Sequence, residues 1–448
     1  MRKNKRIKRG ISLGTMVMLL CTIGVLVGFA SLMPSFTGNQ DILIDAARLA
    51  VAMDDSLSQL TASTGSMLQS YTEPQQTIIP PFKSQTSSAI NLQSDMPSLV
   101  PAATPTPTIS PKLSFSLCAA GSIEVDSSVR KALTIDKQER LELLTDQMTQ
   151  KLQADLSIVT LKNLFSSSNN LSNVNAPSAL LDSIRSMGVN AVSIAHSNAL
   201  NLEAAGIEET AQAVKAAGMI PFGTIHPTAL SFNGVNVAIL HYQDHFSSTA
   251  RKQMNEMERY AILPPIDLAQ ITADIAQARQ SGAHVVLVSL GWGEENSHTP
   301  NDEQQIQAQA ITDAGADIIL GTGNGALQPV QVLSANRGDG RYHPVLCAYS
   351  LGNLFSPDRD SRVTLASILL KTTVVYDTAT QTVAFENLTY TPTYAWRGKD
   401  NGRTLQRILI NDPNHLPNFV DKNQQGVMER CMTLVTTVMA DTAIQMSY

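Results

Sequence analysis

The chain has 448 residues, of which 43% are hydrophobic and 16% charged, with 25 glycines, 21 prolines and four cysteines. This composition excludes a disordered protein, a disulfide scaffold and a polytopic membrane protein, and the length accommodates several domains or one large domain with appendages. Six basic residues and no acid lie within residues 2–9, so the remainder carries 26 basic against 38 acidic side chains. A body of that charge lacks the cationic face that sequence-independent nucleic-acid binding requires.

The N-terminal segment predicts the location of the protein. Residues 10–37 contain no charge, and residues 11–33 form an apolar run that is long enough to cross a hydrocarbon core of about 30 Å. We therefore predict that residues 1–37 form a basic cytoplasmic tail and a single-pass membrane anchor, with the rest of the chain extracytoplasmic. The alternative is a cleaved signal peptide, because Gly28-Phe29-Ala30-Ser31 offers small residues to a peptidase.

Two segments separate this anchor from the main domain. Between residues 38 and 72, apolar residues recur in steps of three and four from Ile42 to Tyr71, which predicts a membrane-proximal helix. That helix either self-associates as a short coiled coil or packs on its own domain. Residues 73–112 hold eight of the 21 prolines among Ser, Thr and Gln, which predicts an extended linker.

From residue 113 onward, strand-like and helix-like segments alternate, which is typical of a layered α/β domain. We assign residues 113–448 to this domain, with its core at 113–392 and a helix near the C-terminus at 424–443. An adjacent pair of strands at 364–376 and 382–390 predicts a hairpin. The other predicted strands are 113–118, 156–161, 190–195, 235–240, 284–290, 317–320 and 345–350, and the other predicted helices are 178–187, 202–217, 267–281 and 302–314.

Five segments resemble, in order, the CapA family of poly-γ-glutamate capsule biosynthesis proteins, which have a calcineurin-like metallophosphatase fold. Residues 349–355 (YSLGNLF) are similar to the family's YSLGNF, and residues 314–321 (AGADIILG) are similar to its AGAD segment. The other three are residues 180–200, 210–223 and 286–295. The resemblance as a whole covers 113–392, and it implies an αββα sandwich of two sheets between helical layers.

The resemblance also implies a metal site, but the residues at its ligand positions differ. In the family, Asp, Glu, Asn and His at strand ends hold one or two metal ions that activate a water molecule. Uncharged or cationic residues replace these ligands, and Ser, Thr, Gly and Lys do not supply an equivalent set. We therefore predict a pseudoenzyme without a metal cofactor. The replacements are Ser122 for Asp, Thr160 and Lys162 for the Asn and Glu of Asn-Leu-Glu, His196-Ser197-Asn198 for Asn-Asn-His, Gly291 for the His of HWG, and residues 321–325 (GTGNG) for a His-rich run.

Lys162 suggests what took the place of the metal. An ammonium at a position where the family has a metal-binding carboxylate repels divalent cations and supplies part of the missing charge. We predict a metal-free pocket for a carboxylate or phosphate of a cell-surface polymer. Its residues are Lys162, His196, Asn198, Ser122, Thr160, Thr322 and Asn353. The alternative is that Lys162 is a solvated loop residue.

A relocated metal site is a competing hypothesis. His241, Asp244 and His245 follow a predicted strand and have side chains of the types that bind Zn²⁺. We disfavour this site because a His-x₃-His pair binds metals from a helix, whereas this one lies in a loop.

Together these features predict a membrane-anchored, extracytoplasmic CapA-like protein that has lost catalysis and binds or helps assemble an anionic polymer of the capsule or cell envelope. Capsule-assembly proteins or a second copy bound through the membrane-proximal helix are the other predicted partners. One alternative is an active metal-dependent capsule hydrolase or ligase with a divergent site. Another is a structural partner of an active CapA paralogue.

Overall fold

The computed structural model describes residues 112–167, 174–358 and 362–448. The predicted cytoplasmic tail, membrane anchor, membrane-proximal helix and nearly all of the Pro-rich linker lie outside these residues. Within them, no helix is both long enough and apolar enough to span a membrane.

The larger sheet has nine strands and contains both parallel and antiparallel pairs. The strands are β1 (Lys112–Ile123), β4 (Leu156–Leu161), β5 (Ala191–Ser193), β6 (Ile220–Phe222), β13 (Asn353–Phe355), β14 (Ala366–Asp377), β15 (Thr382–Asp400), β16 (Arg403–Ile410) and β17 (Gln445–Met446). The central strand, β1, is parallel to β4 on one side and antiparallel to β14 on the other. The main path runs in the order β16-β15-β14-β1-β4-β5-β6, while β13 pairs with β1 and β17 pairs with β15.

The smaller sheet has six strands, and a two-stranded hairpin lies apart from both sheets. The six strands are β7 (Thr228–Phe232), β8 (Val235–Gln243), β9 (Val285–Trp292), β10 (Ile318–Gly323), β11 (Val330–Ala335) and β12 (His343–Ala348), and the hairpin pairs β2 (Thr134–Ile135) with β3 (Gln138–Glu139). The order in the smaller sheet is β11-β12-β10-β9-β8-β7. Its four middle strands are parallel to one another, and the two edge strands are antiparallel to their neighbours.

The two sheets share a hydrophobic core, as the alternation along β8 demonstrates. Val237 and Ile239 belong to the buried cluster that contains the larger sheet, whereas Ala238 and Leu240 belong to a second cluster on the opposite face of the smaller sheet. This is the period of two that a strand buried on both faces produces. The second cluster also contains Ile271, so helices cover the outer face of the smaller sheet.

Helices lie on the outer faces of both sheets. The α-helices are α1 (Ser127–Ala132), α2 (Glu142–Thr145), α3 (Ala179–Ser186), α4 (Glu203–Ala216), α5 (Ser248–Gln253), α6 (Glu256–Tyr260), α7 (Leu268–Gln280), α8 (Asp302–Ala314) and α9 (Lys422–Val438). The buried residues of α7 and α8 join the outer cluster of the smaller sheet, and those of α9 join the cluster of the larger sheet. Side chains of Asn301 and Asp421 cap α8 and α9 at their N-termini, which satisfies free backbone N–H groups.

The mixed α/β class predicted from the sequence is confirmed, including the hairpin, which is β14 and β15. The prediction missed β7, β11 and β16, and also five strands of two or three residues, which are β2, β3, β6, β13 and β17. Because β16 pairs with β15 at the edge of the larger sheet, the sheet continues beyond residue 392, where the predicted core ended.

Candidate functional site

The candidate site lies where parallel strands of the larger sheet end. Ser122 at the end of β1 is in register with Thr160 of β4, and Thr160 is in register with Ser193 of β5. The chain continues from β4 to Lys162, whose backbone N–H donates to the carbonyl of Ile123 at 2.8 Å. The residues that follow β1, β4 and β5 therefore lie side by side at one edge of the sheet.

Loops from the smaller sheet contact the same edge. The side-chain amide of Gln243, at the end of β8, donates to the backbone carbonyl of His196 at 3.4 Å. The backbone N–H of Leu351 donates to the carbonyl of Gly321 in β10 at 3.3 Å. The strand ends of both sheets thus meet in one region, called the cleft below, to which the predicted residues contribute from both sides.

The protonation of His196 is determined by its neighbour. The backbone N–H of Asn198 donates to Nδ1 of His196 at 3.1 Å, so Nδ1 is an acceptor and the neutral ring carries its hydrogen on Nε2. Burial lowers the pKa of His196 to about 3, with further contributions from Lys162 and His241. At neutral pH, His196 therefore presents an Nε2–H donor, and this buried atom has no hydrogen-bond partner within the described part of the chain.

His241 differs from His196 because both of its ring nitrogens have hydrogen-bond partners. Its Nδ1 lies 3.1 Å from the hydroxyl of Ser289, and its Nε2 lies 3.4 Å from Oε1 of Gln243. The amide of Gln243 is oriented by its two donated bonds, to the carbonyls of His196 and His245. Burial lowers the pKa of His241 to about 4, so a neutral His241 donates to Gln243 through Nε2 and accepts from Ser289.

Lys162 lies in an environment with two carboxylates that the sequence did not place in the pocket. Burial lowers the pKa of Lys162, while the carboxylates of Glu124 and Glu295 raise it. The pKa of Glu124 is raised in turn by burial, and Lys162 opposes this shift. Among the described residues, no ion pair shorter than 4 Å involves Lys162, so the two carboxylates act on its charge from longer range.

The structure brings Ser122 and Asn353 together, and their side chains are hydrogen-bonded to each other. The Ser122 hydroxyl donates to Oδ1 of Asn353 at 2.6 Å, and both side chains are buried. The backbone N–H of Ser122 also donates to the carbonyl of Gly352 at 3.0 Å, a residue with a φ of +71°. The pair therefore fastens β13 to β1, and the Ser122 hydroxyl has its donor occupied.

The remaining predicted residues occupy the margins of the cleft. Asn198 supplies its backbone N–H to His196 and accepts a bond from Asn201 on its side chain. Thr160 is buried at the end of β4. Thr322 belongs to the smaller sheet, is in register with Gly291, and directs its hydroxyl to the carbonyl of Leu290 at 3.5 Å.

The residues of the cleft do not fit the divalent metal site that the family resemblance implies. His196 uses Nδ1 as an acceptor and keeps its hydrogen on Nε2, so neither nitrogen is available as a ligand, and both nitrogens of His241 are occupied. A side chain at Gly291 would place its Cβ 2.7 Å from Cβ of Gln243. Within the described ranges, no group of three or more His, Cys, Asp or Glu side chains is arranged to hold a metal ion.

The alternative trio of His241, Asp244 and His245 does not supply a ligand set either. Asp244 is exposed, and its side chain accepts a hydrogen bond from the backbone N–H of Ile266 at 3.0 Å. This bond holds the loop in place. His245 contributes its backbone carbonyl to Gln243. We therefore derive no step through a metal ion at either position.

Sequence reasoning missed Glu124 and Gln243 as parts of the cleft and gave Glu295 no role in it. A signal for Glu124 was present, because it lies two residues beyond Ser122 at a strand end. Gln243 similarly lies two residues beyond His241 and so on the same face of β8. Their partners come from other strands, which the sequence order does not specify.

Comparison with known proteins gives one family and several relatives. The family model described as bacterial capsule synthesis protein PGA_cap matches residues 116–358. The capsule biosynthesis protein CapA of Bacillus anthracis is 27% identical over 187 residues, which cover 40% of this chain and 43% of that protein. The PGA biosynthesis protein CapA of Bacillus subtilis (strain 168) is 33% identical over 121 residues, which cover 27% of this chain and 28% of that protein. The match thus spans less than half the length of either relative.

Solved structures give weaker likenesses. A phosphatase from Mycoplasma pneumoniae is 12% identical with a TM-score of 0.36, covering 60% of this chain and 91% of that chain. A hypothetical protein from Thermus thermophilus is 13% identical with a TM-score of 0.34, covering 63% of this chain and 98% of that chain. Likenesses at this level do not identify an activity.

Proposed function

Because this chain belongs to the bacterial capsule synthesis protein family PGA_cap, we propose that it is a non-catalytic member of that family in capsule or cell-envelope biosynthesis. In this proposal, the α/β domain lies outside the cytoplasm on a single-pass anchor and binds or helps assemble an anionic surface polymer. The resemblance of the YSLGN and AGAD segments to the CapA family is confirmed by the family match. The loss of catalysis, the anchor and the polymer are inferred.

One observation carries the loss of catalysis: the hydrogen bonding of the two buried histidines. His196 accepts a bond on Nδ1 and keeps its hydrogen on Nε2, and His241 uses both ring nitrogens, so neither imidazole offers a free lone pair to a metal ion. The ammonium of Lys162 adds support, because a cation in the cleft repels a divalent metal. Both features support the proposal that the domain does not use a metal-activated water.

The test uses the full-length chain in detergent with poly-γ-glutamate of defined length. We expect saturable binding and no change in polymer length after incubation with Mg²⁺, Mn²⁺ or Zn²⁺. Metal-dependent shortening or joining of the polymer would refute the non-catalytic assignment and favour the active alternative. Absence of binding would refute the polymer assignment and favour a structural partner of an active paralogue, which co-purification from capsule-forming cells would test.

Location is tested separately in intact cells that express the chain. An external protease should degrade the domain, and the protein should stay with the membrane fraction after an alkaline wash. Protection of the domain from protease in intact cells would contradict an extracytoplasmic location. Release of the domain into the medium would instead indicate that the N-terminal segment is cleaved.

A further inference from the structure

The cleft contains a hydrogen-bond donor that the protein leaves unused. His196 is 5% exposed, and its Nε2 has no partner among the described residues. The Asn198 N–H bond to Nδ1 requires this Nε2 to be the protonated nitrogen. Because an unsatisfied buried N–H is destabilising, a buried donor of this kind indicates that a ligand or ordered water supplies an acceptor.

A second donor comes from the neighbouring strand. Lys162 follows β4 by one residue, and His196 follows β5 by three residues, while β4 and β5 are paired in parallel through Thr160 and Ser193. Lys162 is half-buried as a residue, and its ammonium has no ion-pair partner within 4 Å among the described residues. Its charge and the imidazole are close enough that Lys162 disfavours protonation of His196.

We propose that Lys162 and His196 form a metal-free binding site for a single carboxylate, with the ammonium and Nε2–H as its donors. This inference rests on the proposed function and names the chemical group that the site binds. A lysine ammonium supplies a compact charge with several donors, and a neutral imidazole N–H adds direction without adding charge. The two oxygens of a carboxylate are able to accept one hydrogen bond from each donor.

The surrounding charges favour a monoanion over a phosphate dianion. Glu124 and Glu295 are near enough to affect the charge state of Lys162. Each of these carboxylates repels a bound anion, and the repulsion doubles for a dianion while the site offers one positive charge. Free phosphate, which is largely a dianion above neutral pH, is therefore expected to bind more weakly than a carboxylate of equal accessibility.

The experiment uses the full-length chain labelled with ¹⁵N-histidine and two probes, a γ-linked glutamate tripeptide and inorganic phosphate. Among the eight histidines, the His196 signal is assigned as the one lost in His196→Gln. We expect this ring to be neutral with its hydrogen on Nε2 before the probe is added. The tripeptide should shift the Nε2 resonance saturably, and phosphate at the same concentration should shift it less.

Variants separate the two donors. Lys162→Met should weaken tripeptide binding at least tenfold, because loss of a charge-assisted hydrogen bond costs about 1.5–3 kcal/mol. His196→Met removes the N–H and should weaken binding severalfold, whereas His196→Gln keeps an amide donor near the Nε2 position and should retain more affinity. The matched control, Lys371→Met, removes the same charge from a half-buried lysine of β14 and should bind as the original chain does.

Each outcome decides between the proposals. An unshifted Nε2 resonance, a ring protonated on Nδ1, phosphate binding as tight as tripeptide binding, or unchanged affinity in Lys162→Met and His196→Met would each overturn the carboxylate site. If the variants misfold, the histidine spectrum of the unaltered chain still decides. Polymer binding without a shift at His196 would overturn this site and leave the proposed function intact. A shift at His196 without polymer binding would support this site and overturn the proposed function.

Discussion

The indole N–H of Trp292 donates to the backbone carbonyl of Tyr349 at 2.8 Å, and the two rings stack with centroids 6.1 Å apart. Trp292 ends β9 and Tyr349 opens the YSLGN segment, so this bond joins two of the segments on which the family resemblance depends. Both residues are buried. Such a contact stabilises the fold whether or not a metal is bound, because it uses one indole and one carbonyl only. The contact therefore does not depend on which residues occupy the predicted ligand positions around it.

Gly321 lies between those two residues and tests this arrangement. A Cβ at this position would lie 1.9 Å from the Tyr349 carbonyl oxygen and 2.4 Å from Nε1 of Trp292. Since both atoms are buried in a packed core, Gly321→Ala should lower the free energy of unfolding by more than about 3 kcal/mol, measured by denaturant titration.

The matched control is Gly426→Ala in α9, where the nearest atom to a new Cβ is Nη1 of Arg430 at 3.7 Å. This change should raise the free energy of unfolding by up to about 1 kcal/mol, since glycine is a poor helix former. Equal effects of the two substitutions would contradict the packing that the structure gives around Gly321.

The histidines of the cleft predict how stability depends on pH. In the folded state the pKa values of His196 and His241 are about 3 and 4, whereas an unfolded histidine has a pKa of about 6.5. Below pH 6.5 the unfolded chain binds protons that the folded chain does not, so the free energy of unfolding falls as the pH decreases toward 4. Above pH 6.5 these two residues contribute no pH dependence.

His196→Gln removes one of the two histidines that bind a proton in the unfolded chain but not in the folded chain. Between pH 6.5 and 4.5, the fall in the free energy of unfolding should shrink by about 2 kcal/mol, measured by urea titrations at both pH values. His226→Gln, at an exposed position, is the control and should leave the pH dependence unchanged. A pH dependence of His196→Gln identical to that of the original chain would contradict the neutral, buried state of His196.

Reversal of the charge at position 162 should create metal affinity. Lys162→Glu replaces the cation with a carboxylate close to Glu124 and Glu295, and clustered carboxylate oxygens are the ligands that hard divalent cations prefer. We expect Mn²⁺ to be retained near one per chain after desalting, as measured by mass spectrometry, against substoichiometric retention in the original chain.

Lys371→Glu controls for the added charge elsewhere in the larger sheet and should retain no more Mn²⁺ than the original chain. Stoichiometric retention by the original chain would contradict the role of Lys162 in excluding metals. It would also favour the alternative that the protein is an active metal-dependent hydrolase or ligase.

Asp317 of the AGAD segment is predicted to be structural. Its carboxylate is 1% exposed, accepts the backbone N–H of Val286 at 2.8 Å, and pairs with Arg279 and Arg337. Asp317→Ala leaves two guanidinium groups without their partner and should cost about 3–5 kcal/mol of unfolding free energy. Glu429→Ala, an exposed residue of α9, should change it by less than about 0.5 kcal/mol. A similarly small effect at Asp317 would show that the network is dispensable.

The sequence by itself determined the class of the fold and the family. Strand-like segments followed by helical ones predicted the layered α/β arrangement, because local hydrophobic periodicity reports which faces of an element are buried. The segments at 314–321 and 349–355 predicted the family, and the residues Ser122, Lys162 and Gly291 led to the prediction, still to be tested, of a cleft without a metal. These are properties of short stretches and of residue identity, both of which can be read along the chain.

Only the tertiary structure decided what each side chain does. Ser122 and Asn353, 231 residues apart, bond to each other, and the sequence did not predict this partnership. Glu124 and Glu295 come from different sheets to the surroundings of Lys162, and a single backbone N–H determines which nitrogen of His196 carries its hydrogen. Hydrogen-bond partners and local charge depend on which strands are neighbours, and chain order alone does not specify that.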